Sequence, residues 1–158
     1  NAYAQDNDIT RLNWARGDRR LSGFVGRLVR LRLAHPVLRQ RRFLHGRPRP
    51  ADGLPDVIWR RADAEVPAPE DWHDPAFRCI GLELRMAAEG ADADDALYIV
   101  LNGDGPVTLR LPHTAARWWH VLDTARPEAA EGAVSGQIDL PAQSVHVFQS
   151  LAPPEARA

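Results

Sequence analysis

Hydrophobic spacing changes once along this chain, and the change limits what it can fold into. Before Pro36, Leu21, Phe24, Val25, Leu28 and Leu31 follow the i, i+3, i+4, i+7 rule of a helix with one apolar stripe. Arg20, Arg27 and Arg30 fall largely on the opposite side. Asp18 stands where its carboxylate can accept from the unpartnered N–H groups of a first helical turn. His35-Pro36 ends the helix, because proline disfavours α geometry in the residue before it. After Pro36 the spacing alternates. Over residues 78–86, Ile80, Leu82, Leu84 and Met86 share one face and Gly81, Glu83 and Arg85 the other. One helix followed only by strands makes the chain mainly β.

The remaining strands read the same way. Val57-Ile58-Trp59-Arg60 is a short one, and residues 96–101 are apolar on both faces, as a central, doubly covered strand would be. Asn102-Gly103 signals a tight turn into Val107, Leu109 and Leu111. Residues 118–122, 137–140 and 144–148 complete the set. Short strands with turn residues between them predict an antiparallel β-sandwich. Residues 1–17 are polar and loop-like, and residues 62–75, rich in Pro, Asp and Glu, predict an ordered surface loop. Residues 87–95 read as a flexible hairpin tip and 152–158 as a frayed tail. No repeat of solenoid-like period occurs.

Composition excludes several functions. A net charge of −1 supplies no global field for nucleic acid or an anionic membrane. No apolar run approaches the roughly 18 residues of a membrane span, and no signal-peptide pattern is present. Cys79 is the single cysteine, which removes internal disulfides and multi-cysteine metal sites and fits a cytoplasmic setting. A thiol in a β-rich stretch is read as a small buried apolar group. His35, His45, His73, His113, His120 and His146 are scattered without a metal-ligand spacing, so no metal or cofactor is expected. Ser22, Ser135, Ser144 and Ser150 lack a nucleophile-elbow context, and Gly103-Asp104-Gly105 is a turn with no helix start to make it a phosphate cradle.

Glycosidic hydrolysis needs two carboxyl groups held across a sugar ring, about 5 Å apart in retaining enzymes and further apart in inverting ones. The acids here lie mostly in loops: Asp6, Asp8, Asp52, Asp56, Asp63, Glu65, Glu70, Asp71, Asp74 and the group Asp92, Asp94, Asp95. Solvated surface is the expectation for them, and no catalytic pair emerges. Aromatic side chains are the other candidates, since sugar rings stack on exposed Trp and Tyr. Trp118 and Trp119 are adjacent on a strand and must point to opposite faces, one core and one exposed or covered by a neighbouring domain. Core and interface packing is the favoured reading over a sugar platform. Trp59 is expected in the core, and Trp72 as an anchor that pins the acidic loop.

The opening run Asn1-Ala2-Tyr3-Ala4-Gln5-Asp6-Asn7-Asp8-Ile9, followed by Leu12-Asn13-Trp14, resembles a segment of bacterial glycogen debranching enzymes of the isoamylase type, in the α-amylase superfamily. The likeness continues through Leu28-Val29-Arg30-Leu31-Arg32, His35-Pro36-Val37-Leu38 and Arg41-Arg42-Phe43, then Asp71-Trp72-His73-Asp74-Pro75 and Leu101-Asn102. It spans roughly residues 1–148; the first forty-odd are its specific part. Ala4 and Asp8 depart from the family pattern, where Cys and Glu are usual.

The resemblance implies hydrolysis of α-1,6 branch linkages in glycogen and limit dextrin by an Asp nucleophile, a Glu acid/base and a second Asp. All three belong to strands of a (β/α)8 barrel upstream of the matched segment, so none maps onto this chain. It further implies that residues 1–42 are the end of that barrel, a loop plus its last helix, and that residues 43–151 form a C-terminal sandwich, with 152–158 a tail. Barrel loops on that face build active sites, which makes Asn1, Tyr3, Asp6 and Asn7 the candidates for touching glucan at the rim. A structural role is favoured for Asp6 and Asn7, since such side chains hold turns.

The chain starts at Asn1 and has Met86 as its single methionine, so a piece of a longer polypeptide is expected. Its partners would be the N-terminal and barrel portion of that polypeptide and, through it, branched α-glucan. The helix stripe is expected to pack on the sandwich, on a second copy or on barrel chain, because a bare apolar face invites self-association. Two other readings are a non-catalytic glucan-binding module, which requires a row of exposed aromatics on one sandwich face, and the same domain of a related enzyme such as a maltooligosyl trehalose hydrolase.

Overall fold

A computed structural model describes residues 3–11, 13–50, 53–87, 94–113, 117–129 and 131–151. Most of the hairpin tip expected over 87–95, namely 88–93, and the tail, 152–158, lie outside the described residues. The chain divides into two compact units, Asn1–Ala34 and His35–Ala158.

In the first unit a 3-10 turn, Trp14–Arg16, leads into helix α1, Arg19–Ala34. Asp18 caps it: its Oδ1 accepts from the backbone N–H of Arg20 at 2.8 Å and of Leu21 at 3.3 Å. The helix stops one residue before His35-Pro36, as the proline dictates. None of its residues is buried, and Leu21, Val25 and Leu28 of the apolar stripe are exposed.

Among its described residues the second unit has eight strands: β1 Val57–Arg60, β2 Cys79–Met86, β3 Asp95–Asn102, β4 Val107–Arg110, β5 Arg117–Asp123, β6 Gly132–Val134, β7 Gln137–Leu140 and β8 Ser144–Leu151. Six form a sheet in the order β1-β2-β3-β8-β5-β6, and β4 pairs with β7 in a second sheet; every pairing is antiparallel. Tyr98, Val100, Trp118 and Phe148 of the large sheet pack against Leu109 and Leu140 of the small one, with Leu111 closing the same core. This is a sandwich of unequal layers, mainly β as the spacing predicts.

The turn at Asn102-Gly103 makes no hairpin between neighbouring strands. It sends the chain from β3 across to the other sheet, where β4 pairs with the distant β7. The Asn102 side chain holds this crossing, its Nδ2 donating to Gly105 O and Pro141 O, both at 2.8 Å. Strand β3 is central and covered on both faces for part of its length: Tyr98 and Val100 are buried on one face and Leu97 on the other, where cover thins at Ile99 and Leu101 is exposed. Strand β6 has no counterpart in the sequence reading.

On β2 the layer between the sheets receives the Gly81 and Glu83 side of the strand, since Gly81 pairs with Val100 and Glu83 with Tyr98. The apolar row Ile80, Leu82 and Leu84 lies on the outer face. There the 3-10 turn Pro36–Arg39 packs on β2 and β3, with Val37 buried and its N–H donating to Asp95 Oδ2 at 3.1 Å. The inner side accepts Gly81 because the Tyr98 ring lies directly over it. It accepts Glu83, which has no solvent exposure, because two arginines neutralise it: Arg60 Nε donates to Oε2 at 2.6 Å, and Arg85 Nη2 donates to Oε1.

Candidate functional site

Three places could carry chemistry: the opening loop, the buried polar groups of the sandwich, and the surface around residues 59–78. In the opening loop, Asn1 lies outside the described residues and Tyr3 is exposed. Asp6 pairs with Arg11 at 3.4 Å on open surface, an arrangement worth little energetically. Asn7 ties a turn: its Oδ1 accepts from Ile9 N–H at 3.1 Å, and its carbonyl accepts from Thr10 N–H at 3.0 Å and Thr10 Oγ1 at 2.8 Å. Tyr3 and Ala4 both adopt positive φ, which bends the chain ahead of that turn.

Among the described residues, the buried carboxylates and the buried His146 are engaged in holding the fold. Asp56, read from sequence as solvated, is buried: Gly46 N–H donates to its Oδ1 at 2.8 Å, and His45 N–H to its carboxylate at 3.2 Å. Burial alone would raise its pKa, but the two amide donors and the nearby His45 ring outweigh that and hold it below the ordinary carboxylate value. Asp95 is likewise withdrawn from water, accepting from Val37 N–H and lying 2.9 Å from His35 Nδ1. These carboxylates are in the interior because loop backbone needs acceptors there.

A second network joins β5 to β8. His146, completely buried, lies 3.1 Å from His120 Nε2 through Nδ1 and 2.9 Å from Ser144 Oγ through Nε2. Asp123 Oδ1 is 3.9 Å from the same Nε2 and accepts from Ala125 and Arg126 N–H, while Arg126 Nε donates to Oδ2. Ser, His and Asp are thus neighbours, but not in a nucleophilic arrangement. The Ser144 hydroxyl donates to Pro141 O at 2.7 Å and is buried, so it can reach no acyl or glycosyl group. Burial holds the His146 pKa below its ordinary value despite Asp123.

The surface around residues 59–78 is different in kind. Trp59 is not in the core. It sits on edge strand β1 opposite Leu82, which turns it to the outer face, and it is 43% exposed. Trp72 is 50% exposed and packs edge-on against both Trp59 and Phe77, with ring centroids 5.9 and 5.8 Å apart. The chain of rings ends at a cleft of about 470 Å3, which Phe77 lines together with Arg61, Asp63, Asp71, Asp74, Arg78, Arg110 and Gln137. Arg61 clamps two of its acids, donating through Nε and Nη2 to Asp63 and through Nη1 to Asp71 at 3.3 Å. Its hydrogen bonds hold the Asp63 carboxyl below the ordinary range. A general acid for glycoside cleavage needs the opposite shift. Cys79 at the cleft floor is half-buried, and burial pushes its thiol up, the wrong direction for a nucleophile.

Among the described residues no group of three or more His, Cys, Asp or Glu could hold a metal ion, and no helix is long and apolar enough to cross a membrane. Trp118 and Trp119 divide as their adjacency requires: Trp118 is buried with Nε1 donating to Pro112 O at 2.9 Å, and Trp119 is partly exposed.

The architecture is that of an antiparallel sandwich domain whose buried ionisable groups are consumed by structure. The family described as "Isoamylase, C-terminal" matches residues 56–149, and the chain belongs to it. An isoamylase of Flavobacterium sp. is 28% identical over 145 residues, 85% of this chain and 18% of the relative. A glycogen debranching enzyme of Erwinia tasmaniensis is 49% identical over 89 residues, covering 56% of this chain and 12% of that enzyme. One from Cronobacter sakazakii is 36% identical over 73 residues, 46% of this chain and 10% of that enzyme. The chain therefore spans well under a quarter of the length of these relatives.

Proposed function

We propose that this chain is the C-terminal portion of a glycoside hydrolase that cleaves α-1,6 branch linkages in glycogen and limit dextrin, and that on its own it is non-catalytic. Its role is then to complete and stabilise the upstream barrel. The reading rests on one observation above all: the family match over residues 56–149 is joined by likeness to an isoamylase that covers 85% of the chain. Consistent with it, two of the three cleft acids, Asp63 and Asp71, are clamped by Arg61.

In this reading residues 1–42 belong to the barrel, and the apolar stripe of α1 covers barrel sheet in the longer polypeptide; without that cover it drives self-association. Asn1 and Tyr3 stand at the rim of the active site, while Asp6 and Asn7 chiefly hold the loop in shape. Deleting residues 43–151 from the longer polypeptide tests the stabilising role. The expected outcome is a lower unfolding midpoint and loss of soluble enzyme. An unchanged midpoint with full debranching activity would overturn it.

A further inference from the structure

We propose that Trp59, Trp72 and Phe77, with the adjoining cleft, form a binding site for an α-glucan chain, separate from any site of bond cleavage. Leaving two tryptophans about half exposed beside each other is unfavourable in water, and such a patch ringed by polar groups marks a surface that something covers. The surroundings say what. The core of a protein interface is depleted of charge, whereas this patch runs directly into Arg61, Asp63, Asp71, Asp74, Arg78 and Arg110. Three arginines face three aspartates, so the cleft carries no net charge and suits neither a phosphate nor a cation. A neutral ligand that has an apolar face and many hydroxyls fits. A pyranose offers axial C–H bonds to an aromatic ring and vicinal hydroxyls to carboxylate and guanidinium forks. A volume of about 470 Å3 lies within the range of small-ligand sites and admits a few sugar units at most.

Geometry favours a surface-laid chain. Trp72 meets Trp59 and Phe77 at interplanar angles of 88° and 83°, two T-shaped contacts that fix the orientation of its ring. Arg61 pins the same loop through Asp63 and Asp71, so the platform is ordered before a ligand arrives. That the sugar is an α-glucan rests on the debranching reading; that the site takes a sugar does not. A second foothold on a branched polymer would raise the effective concentration of branch points at a distant catalytic centre.

The test is titration of the 158-residue chain with maltoheptaose, followed by tryptophan fluorescence and calorimetry. Saturable binding is expected, with Trp72→Ala weakening it about tenfold (about 1.4 kcal/mol) and Trp72→Phe retaining most of it. Because Trp72 also braces the loop, a second variant, Arg110→Ala with Gln137→Ala, alters the cleft without touching the aromatic rings; about threefold weaker binding is expected. Absence of saturable binding, or a Kd unchanged in both Trp72→Ala and the double variant, overturns the proposal, as does equal binding of cellohexaose. If the longer polypeptide binds glycogen equally well with and without Trp72→Ala, the patch is covered by protein and the proposal also fails. Failure of the debranching reading would appear elsewhere, as absence of α-1,6 cleavage by the longer polypeptide.

Discussion

Gly81→Ala is a small change that the sandwich should resist strongly. A Cβ at residue 81 would lie 2.3 Å from Tyr98 Oη, 2.4 Å from Cε2 and 2.6 Å from Cζ. The ring cannot step aside: Tyr98 has no solvent exposure and is held between Trp118 and Phe148, with centroids 5.8 and 6.1 Å away. Overfilling a packed core costs about 1–3 kcal/mol, and the contacts here are close enough to use the upper part of that range. Alanine's better strand propensity returns up to about 1 kcal/mol, leaving a net loss of about 2 kcal/mol. For a chain of this size that is a fall in unfolding midpoint of roughly 4–8 °C. Urea unfolding followed by tryptophan emission, beside a thermal scan, reads it directly. In the Gly81→Ala background, Tyr98→Phe removes the nearest atom and should recover part of the loss, giving a coupling of at least about 0.5 kcal/mol. A Gly81→Ala protein as stable as the parent, or strictly additive effects of the two changes, would refute this account of the core.

Further expectations follow from the same interior. Among the described residues the buried Tyr98 Oη has no hydrogen-bond partner, so Tyr98→Phe alone should stabilise the chain by about 1 kcal/mol in urea melts, and a loss of stability would show that the hydroxyl is satisfied. Arg60→Met leaves Glu83 buried with one neutralising partner and should cost about 3 kcal/mol, against less than about 1 kcal/mol for Arg126→Ala, whose side chain is largely exposed; equal costs would contradict the role given to burial. Acid should destabilise in two steps. The folded-state pKa of His146 lies below its ordinary 6.5, so the unfolded chain takes up the proton first, and stability present above pH 6.5 drains as pH falls below it. Asp56 and Asp123, held below their ordinary 3.8, contribute stability present above that value and lost beneath it. Stability measured from pH 8 to 3 should show both steps, and His146→Gln should lack the first.

Local chemistry was legible in the sequence and long-range placement was not. Helix α1 could be bounded to the residue because Asp18 and Pro36 act on their immediate neighbours. The antiparallel strands announced themselves by alternation, but which strand joins which sheet depends on ties such as Asn102 to Pro141, 39 residues apart. Residues 132–134, Gly-Ala-Val, carry too little β preference to declare β6. Alternation places Glu83 opposite the apolar row but cannot show that this side is the buried one, since its partner Arg60 lies 23 positions away. Trp59, expected in the core, is 43% exposed because an apolar residue on an edge strand is buried only if something covers that edge. Asn7 could be read as a turn holder since its partners are two and three residues on. The aromatic cleft could not, since its lining comes from the loop after β1, the start of β2, and strands β4 and β7.

The central proposal is that this chain does not itself break glycosidic bonds and serves the catalytic barrel of a longer polypeptide. The most direct measurement is release of new reducing ends from branched limit dextrin, with the purified 158-residue chain and the longer polypeptide assayed side by side. The account predicts a rate equal to buffer for the chain and release of linear maltosaccharides by the longer polypeptide. Debranching by the chain alone, or none by the longer polypeptide, would contradict it.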